Sequence, residues 1–173
     1  FGGDAGAGAS TPGQERAAAV VIATIPGARL FHEGQLEGRR IRVSVQLGRL
    51  PEEPQEAEWK EFYRPLLEAV RDSRLREGSW ALCELSGWPD NESFRNLVAW
   101  RWSRADKRHL IVVNLSDLRS QARVRMPGVA VAGRTWRLCD LLSGNSYERD
   151  GDEMTDPGLF VDLPPRGYHF FEF

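Results

Sequence analysis

Four acids crowd one glycine at residues 150–156 and give the densest group of possible ligands in the chain. Asp150, Asp152, Glu153 and Asp156 flank Gly151. Hard carboxylate oxygens of this kind suit calcium. The spacing departs from the EF-hand loop, with no glycine at its sixth position and no glutamate at its twelfth. A solvated hairpin tip is the favoured reading, and no metal site is expected. Five tryptophans, Trp80, Trp88, Trp100, Trp102 and Trp136, invite a different chemistry. Trp100 and Trp102 would share one face of a strand and could form a platform for stacking sugar rings. Packing between two sheets is the commoner use of such residues. His109 and His169 have no serine or cysteine in motif context, and no Gly-x-Ser-x-Gly elbow occurs. Nucleophilic catalysis by either histidine is therefore not expected. Gly6-Ala7-Gly8 follows no strand and is not a dinucleotide loop, so no cofactor is expected.

These side chains need elements to position them. Thr11, Pro12 and Gln14 predict a helix start over 12–24, with a Thr-x-x-Gln capping box. The body of that helix is apolar almost all round, which marks it for burial on more than one side. Pro26-Gly27 ends it, and the apolar run 28–32 reads as a buried strand. Residues 35–40 read as a polar loop, and 41–47 alternate as a strand or an extended loop. A second helix is predicted over 55–72, with Trp59, Phe62, Tyr63, Leu66, Leu67 and Val70 on one stripe and a kink or a local break at Pro65. Beyond residue 79 the period changes to two. Short strands are predicted at 80–85, 97–102, 109–114, 122–125, 135–140, 146–149, 159–162 and 168–173, separated by turn residues. That pattern predicts an antiparallel β-sandwich.

The chain thus divides into an α/β piece over 1–78 and an all-β domain over 79–173. The α/β piece is incomplete by itself. A strand apolar throughout needs parallel neighbours and helices on both faces, and too few such elements are present. The chain opens in a Gly/Ala-rich loop without Met, which reads as the start of a fragment. At 173 residues, 41% of them hydrophobic, the chain can bury a core. With 25 acids against 23 bases it carries no basic field, so nucleic-acid partners are not expected. No apolar run is long enough to span a membrane. Cys83 and Cys139 are too few for a disulfide framework; read as isolated thiols, they tilt the compartment towards the cytoplasm. Asn91 and Asn114 head glycosylation sequons, but Asn114 ends an apolar strand and is discounted.

Several of these stretches, in chain order, resemble the alpha-amylase family of TIM-barrel glycoside hydrolases and transglycosidases. Ile25-Pro26-Gly27-Ala28-Arg29-Leu30-Phe31-His32-Glu33-Gly34-Gln35 is similar to the last barrel strand of that family. There a Pro-Gly-x-Pro-Leu-Ile-Tyr-Tyr-Gly-Gln-Glu type pattern is common. Phe62-Tyr63-Arg64-Pro65-Leu66-Leu67 and Leu75-Arg76-Glu77-Gly78-Ser79-Trp80 resemble its last barrel helix and exit. The strand around His109–Ser116 resembles a Val-Val-Asn-Leu-Ser strand of its C-terminal β domain, and stretches 136–144 and 163–169 resemble later strands. His32-Glu33 stands where an aromatic pair is usual, and Leu36 where many members have an acid.

The resemblance implies a fold: a partial (β/α)8-barrel remnant, comprising the last strand and flanking helices, followed by an antiparallel all-β sandwich. It implies a function as well. The chain would be the C-terminal part of a retaining enzyme acting on α-linked oligo- or polysaccharides, with the remainder of the catalytic barrel as its partner. The family's catalytic carboxylates lie on earlier strands, the last in an Asn-His-Asp motif that this chain lacks. They would precede Phe1, and the chain alone would be inactive, with no catalytic residue of its own. His32, Glu33 and Gln35 would sit at the strand end that faces the active site and could line the sugar site. Two other readings compete. One is a stand-alone carbohydrate-binding β-sandwich module. The other is a small enzyme using Glu33 or the Asp150–Asp156 acids as a carboxylate pair.

Overall fold

The computed structural model describes residues 11–32, 34–39, 52–53, 56–105 and 107–173. Its first helix, α1 (Pro12–Thr24), starts where the capping residues place it. Thr11 Oγ1 accepts from the Gln14 N–H at 3.3 Å, and Gln14 Oε1 accepts from the Thr11 N–H at 2.9 Å. Both donors would otherwise be left without partners at the helix end. Thr11→Ala should therefore cost about 1 kcal/mol, read as a lower urea midpoint with faster amide exchange confined to the first turn of α1. Ala17, Ala19, Val20 and Ala23 form its buried side. Small side chains let the helix axis approach its neighbour closely.

The second helix, α2 (Ala57–Ser73), buries Trp59, Tyr63 and Leu66 from its predicted stripe. It runs as one helix through Pro65, so the local break expected there does not occur, with Tyr63 and Leu66 buried on either side of that residue. Arg74, in the left-handed region at φ 48°, ends it. Between the helices, residues 28–32 form no strand ladder. A parallel barrel strand exists by virtue of its neighbours' hydrogen bonds, and none of the described residues supplies one. Leu30 is left 84% exposed, while Phe31 packs edge-on against Tyr63 at 6.0 Å. The predicted strand at 41–47 lies outside the described residues.

The remainder is antiparallel sheet. The strands are β1 (Ser79–Leu82), β2 (Glu84–Ser86), β3 (Leu97–Arg104), β4 (Lys107–Asn114), β5 (Ser120–Arg125), β6 (Thr135–Asp140), β7 (Ser146–Asp150), β8 (Leu159–Leu163) and β9 (Tyr168–Glu172). Six of them form one sheet in the order β1-β3-β4-β9-β6-β7, and three form the other in the order β2-β5-β8. The stretch predicted as one strand over 80–85 is two. The chain changes sheets at Cys83, whose N–H donates to Ala99 O at 3.0 Å. Burial pushes the Cys83 thiol up to about 12, so it stays protonated and inert.

The two sheets enclose one core, built from Leu110, Val112, Val124, Leu138, Val161, Phe171 and their neighbours. A second core lies on the opposite face of the six-stranded sheet. There Trp100, Trp102, Ile111, Val113 and Phe170 meet Val20, Ala23, Tyr63 and Leu66 of the helices. The large sheet is thus covered on both sides, which explains the unbroken apolar run Leu110, Ile111, Val112, Val113 in β4. The Trp102 indole N–H donates to Thr24 O at the end of α1 over 2.7 Å in a buried setting. Arg76 donates to Gly27 O at 3.2 Å, and Arg104 pairs with Glu77 at 2.8 Å. Asn114 is fully buried, and its amide donates to Leu118 O and Pro164 O at 2.7 and 2.9 Å. Its sequon is thereby occupied by structure, as its place at the end of an apolar strand implied. No helix among the described residues is long and apolar enough to cross a membrane.

Candidate functional site

Among the described residues β7 and β8 are edges of the two sheets with no further strand beside them, and the sandwich stays open between them. A cavity of about 610 Å³ results. Leu138, Val161 and Phe171 give it an apolar floor, Asn145, Tyr147 and Arg149 form one rim, and Phe160 and Asp162 form the other. Its closed end is built around Asp140, the last residue of β6. The carboxylate is buried and accepts four hydrogen bonds: from Leu142 N–H (3.1 Å), Ser143 Oγ (2.9 Å), His169 Nδ1 (2.8 Å) and Phe170 N–H (3.3 Å). Burial alone would push its carboxyl up. The bonds from His169, Leu142 and Ser143, with the His169 charge, outweigh burial and hold it below the ordinary carboxylate value. Gly144, at φ 75°, permits the turn that carries Ser143 back over Asp140. His169 stacks on Phe171 at 4.6 Å and meets the edge of Tyr147 at 6.1 Å.

This arrangement orients side chains but does not activate a nucleophile. Ser143 donates to Asp140, not to His169. Arg166 is spent on Asp117 through two bonds of 2.7 Å, and Arg119 on Asp162 through bonds of 2.8 and 2.5 Å. The other β-domain histidine, His109, is buried and bonded to Glu172 at 3.0 Å, with Lys107 on the same carboxylate. Burial, against the pull of Glu172, lowers the His109 pKa and favours the neutral ring. Both contacts tie β4 to β9.

The residues singled out in the sequence fall elsewhere. His32 is exposed, and its backbone N–H donates to Gln35 Oε1 at 3.3 Å. Gln35 Nε2 in turn donates to the Tyr63 hydroxyl at 3.0 Å. His32 and Gln35 are therefore brought together, beside α2 and away from the cavity between the sheets. Glu33 lies outside the described residues. The acids around Gly151 disperse. Asp150 caps a short helical turn by accepting from Asp152 and Glu153 N–H at 2.8 and 3.1 Å. Asp152 accepts from Gly133 N–H at 2.8 Å, Glu153 pairs with Arg123 at 2.6 Å, and Asp156 pairs with Arg125. Among the described residues no group of three or more His, Cys, Asp or Glu could hold a metal.

Trp100 and Trp102 are buried against the helices, so they form no sugar platform. Trp136 is buried too, with its indole N–H on Val131 O at 2.7 Å. The cavity residues Tyr147 and His169 were not singled out as a site, because the cavity comes from edges far apart in sequence. The one local signal is their alternation with exposed neighbours next to turns, which places both on the inter-sheet side of their strands, against Phe171.

No family model matches the chain, and no curated protein matches it in sequence. Solved structures do match it in fold. A noncanonic maltogenic alpha-amylase from Thermotoga neapolitana superposes with a TM-score of 0.72 at 12% identity, covering 94% of this chain and 37% of that one. For the alpha-amylase of Geobacillus thermoleovorans, solved with acarbose, the TM-score is 0.70 at 12% identity, over 94% of this chain and 33% of that one. For AmyP in complex with maltose it is 0.65 at 12% identity, over 92% and 34%. The chain spans about a third of the length of these enzymes. Its helices and β-sandwich together have the fold of one part of alpha-amylase-family enzymes.

Proposed function

We propose that this chain is the C-terminal part of an alpha-amylase-family glycoside hydrolase or transglycosidase acting on α-glucans. In that reading the sandwich braces the last helices of a catalytic barrel whose carboxylates lie in the remainder of the enzyme. The observation that carries it is the fold match over more than nine-tenths of the chain to about a third of several amylases.

Unfinished packing on the helical side supports it. Leu30 and Leu82 are 84% and 63% exposed. Leu82 and Trp80 pair across the ladder with Trp100 and Trp102, so they extend the helix-facing core beyond its cover. Arg29 Nε and Nη2 and the Trp100 indole N–H are buried without acceptors among the described residues. Burial, with Arg76 close by, lowers the Arg29 pKa. Acceptors and apolar cover from the rest of a barrel would complete all of these groups. His32 and Gln35, at the end of the 28–32 segment, would then stand at the rim of the sugar site.

The test is to express the natural reading frame with its flanking sequence and assay it on soluble starch and maltoheptaose. Turnover by the full-length protein, and none by the 173-residue chain, is the expected result. A full-length protein inert on both substrates, or turnover by the short chain alone, would overturn the reading.

A further inference from the structure

We propose that the cavity between β7 and β8 is a binding site for a small aryl carboxylate, with Arg149 receiving the carboxylate and the apolar floor receiving the ring. This does not depend on the α-glucan reading above. The pleat of β7 puts Tyr147 and Arg149 on one side, opposite Leu138 and Trp136 of β6. Three rings form a wall there. Phe171 meets Tyr147 edge-on at 5.8 Å, and His169 stacks on Phe171 at 4.6 Å and meets Tyr147 at 6.1 Å. Leu138, Leu159 and Val161 line the same cavity. Its volume of about 610 Å³ lies within the roughly 300–1,000 Å³ of pockets that hold small molecules. An aromatic ligand would gain edge or offset contacts with these rings.

The wall is held ready rather than left loose. Asp140 grips His169 Nδ1 at 2.8 Å, and the His169 ring in turn lies flat on Phe171. Tyr147 closes the group from β7, with its ring packed against the inter-sheet core. Such preorganisation lowers the entropic cost of binding.

The charges select an anion, and a single charge. Arg16, Arg149 and Arg166 line the cavity. Arg16 pairs with Glu58 and Arg166 with Asp117. Arg149 has no carboxylate partner among the described residues. Its guanidinium carbon lies 5.4 Å from the Tyr147 centroid, and Nη1 donates to Glu148 O at 2.7 Å. A carboxylate can take two parallel bonds from a planar guanidinium. Arg149 and His169 lie against the same Tyr147 ring, so the charged end of the site adjoins the aromatic wall. Asp140 and Asp162 also line the cavity, so a second negative charge on the ligand would be repelled. A sugar would turn hydroxyls towards Leu138, Val161 and Phe171, which offer them no hydrogen bond.

Titration calorimetry of the full-length protein tests this with 4-phenylbutyrate and its uncharged analogue 4-phenylbutan-1-ol. The acid should bind about tenfold more tightly than the alcohol. Arg149→Gln should remove that difference and leave the affinity for the alcohol unchanged, while Arg149→Lys should keep part of it. Methyl NMR spectra place the ligand. The ring current of the bound acid should move the Leu138 and Val161 signals and leave those of Val20 and Ala23, in the helix-facing core, unmoved. Equal binding of acid and alcohol by the wild type would overturn the proposal, as would wild-type affinity for the acid in Arg149→Gln. Shifts confined to Val20 and Ala23 would also overturn it, because the acid would then sit on the helical side. So would displacement of the acid by maltotriose, which would make the cavity a sugar site, or the absence of heat and of shifts at millimolar acid.

Discussion

Replacing Asp140 by alanine should destabilise the protein by about 3–5 kcal/mol, the range for removing one partner from a buried charged cluster. The carboxylate is the common acceptor for two backbone N–H groups, a hydroxyl and an imidazole. Alanine leaves each of these without its partner in a site where water cannot fully replace it. A urea midpoint unchanged in Asp140→Ala would refute this account. Asp140→Asn keeps one carbonyl acceptor and should lose less. The two variants also separate charge from shape through pH. The folded carboxyl sits below its ordinary value, so its contribution is fully present above the unfolded carboxyl pKa, about 4. It fades as pH falls through the depressed folded value. Wild-type stability should therefore drop across that acidic window, and the part due to residue 140 should be missing in Asp140→Asn. Urea melts of the two proteins between neutral and acidic pH would read the difference.

Trp102→Ala should have an effect of similar size, about 3–5 kcal/mol, since it removes a large buried ring from the helix-facing core. That is a large share of the roughly 5–15 kcal/mol that holds a domain folded. Trp102→Phe is the more informative change. It keeps an aromatic ring but deletes the buried indole bond to Thr24 O, and should cost about 1–3 kcal/mol. The loss should be local in kind. Hydrogen exchange is expected to rise in α1 before it rises in β4, because the bond fastens the end of α1 to the sheet. Equal acceleration in both elements would mean that Trp102 acts through packing alone.

Much of this was legible in the residues. Thr11, Pro12 and Gln14 carry a local code for a helix start, and local codes survive without knowledge of partners. The β-strand positions were likewise readable, because turns such as Ser143-Gly144-Asn145 punctuate them. What depends on distant partners was not. Whether 28–32 forms a strand is decided by neighbours that the described residues do not include. The change of sheets at Cys83 shows no break in the alternating pattern, so 80–85 read as one strand. Both faces of β3 carry apolar residues, Leu97 and Ala99 on one and Val98, Trp100 and Trp102 on the other, so the sequence could not say that the tryptophans turn towards the helices. The cavity at β7 and β8 depends on which strands end up as edges. Trp88 was visible as an aromatic, but its neighbour Phe160 is 72 positions away and becomes a partner only through the β2-β5-β8 order.

The place of β9 sets the order of events during synthesis. It comes after the other eight described strands in chain order, yet it lies between β4 and β6 in the middle of the large sheet. Its contact from Glu172 to His109 closes a span of 63 residues. Until β9 emerges, the large sheet exists only as two unconnected parts, β1-β3-β4 and β6-β7. The apolar faces of β4 meanwhile wait with one edge open. Long-range closure of this kind slows folding and prolongs exposure of unpaired edges. A chain lacking β9 should accordingly depend on chaperones and lose far more structure than the five residues of that strand.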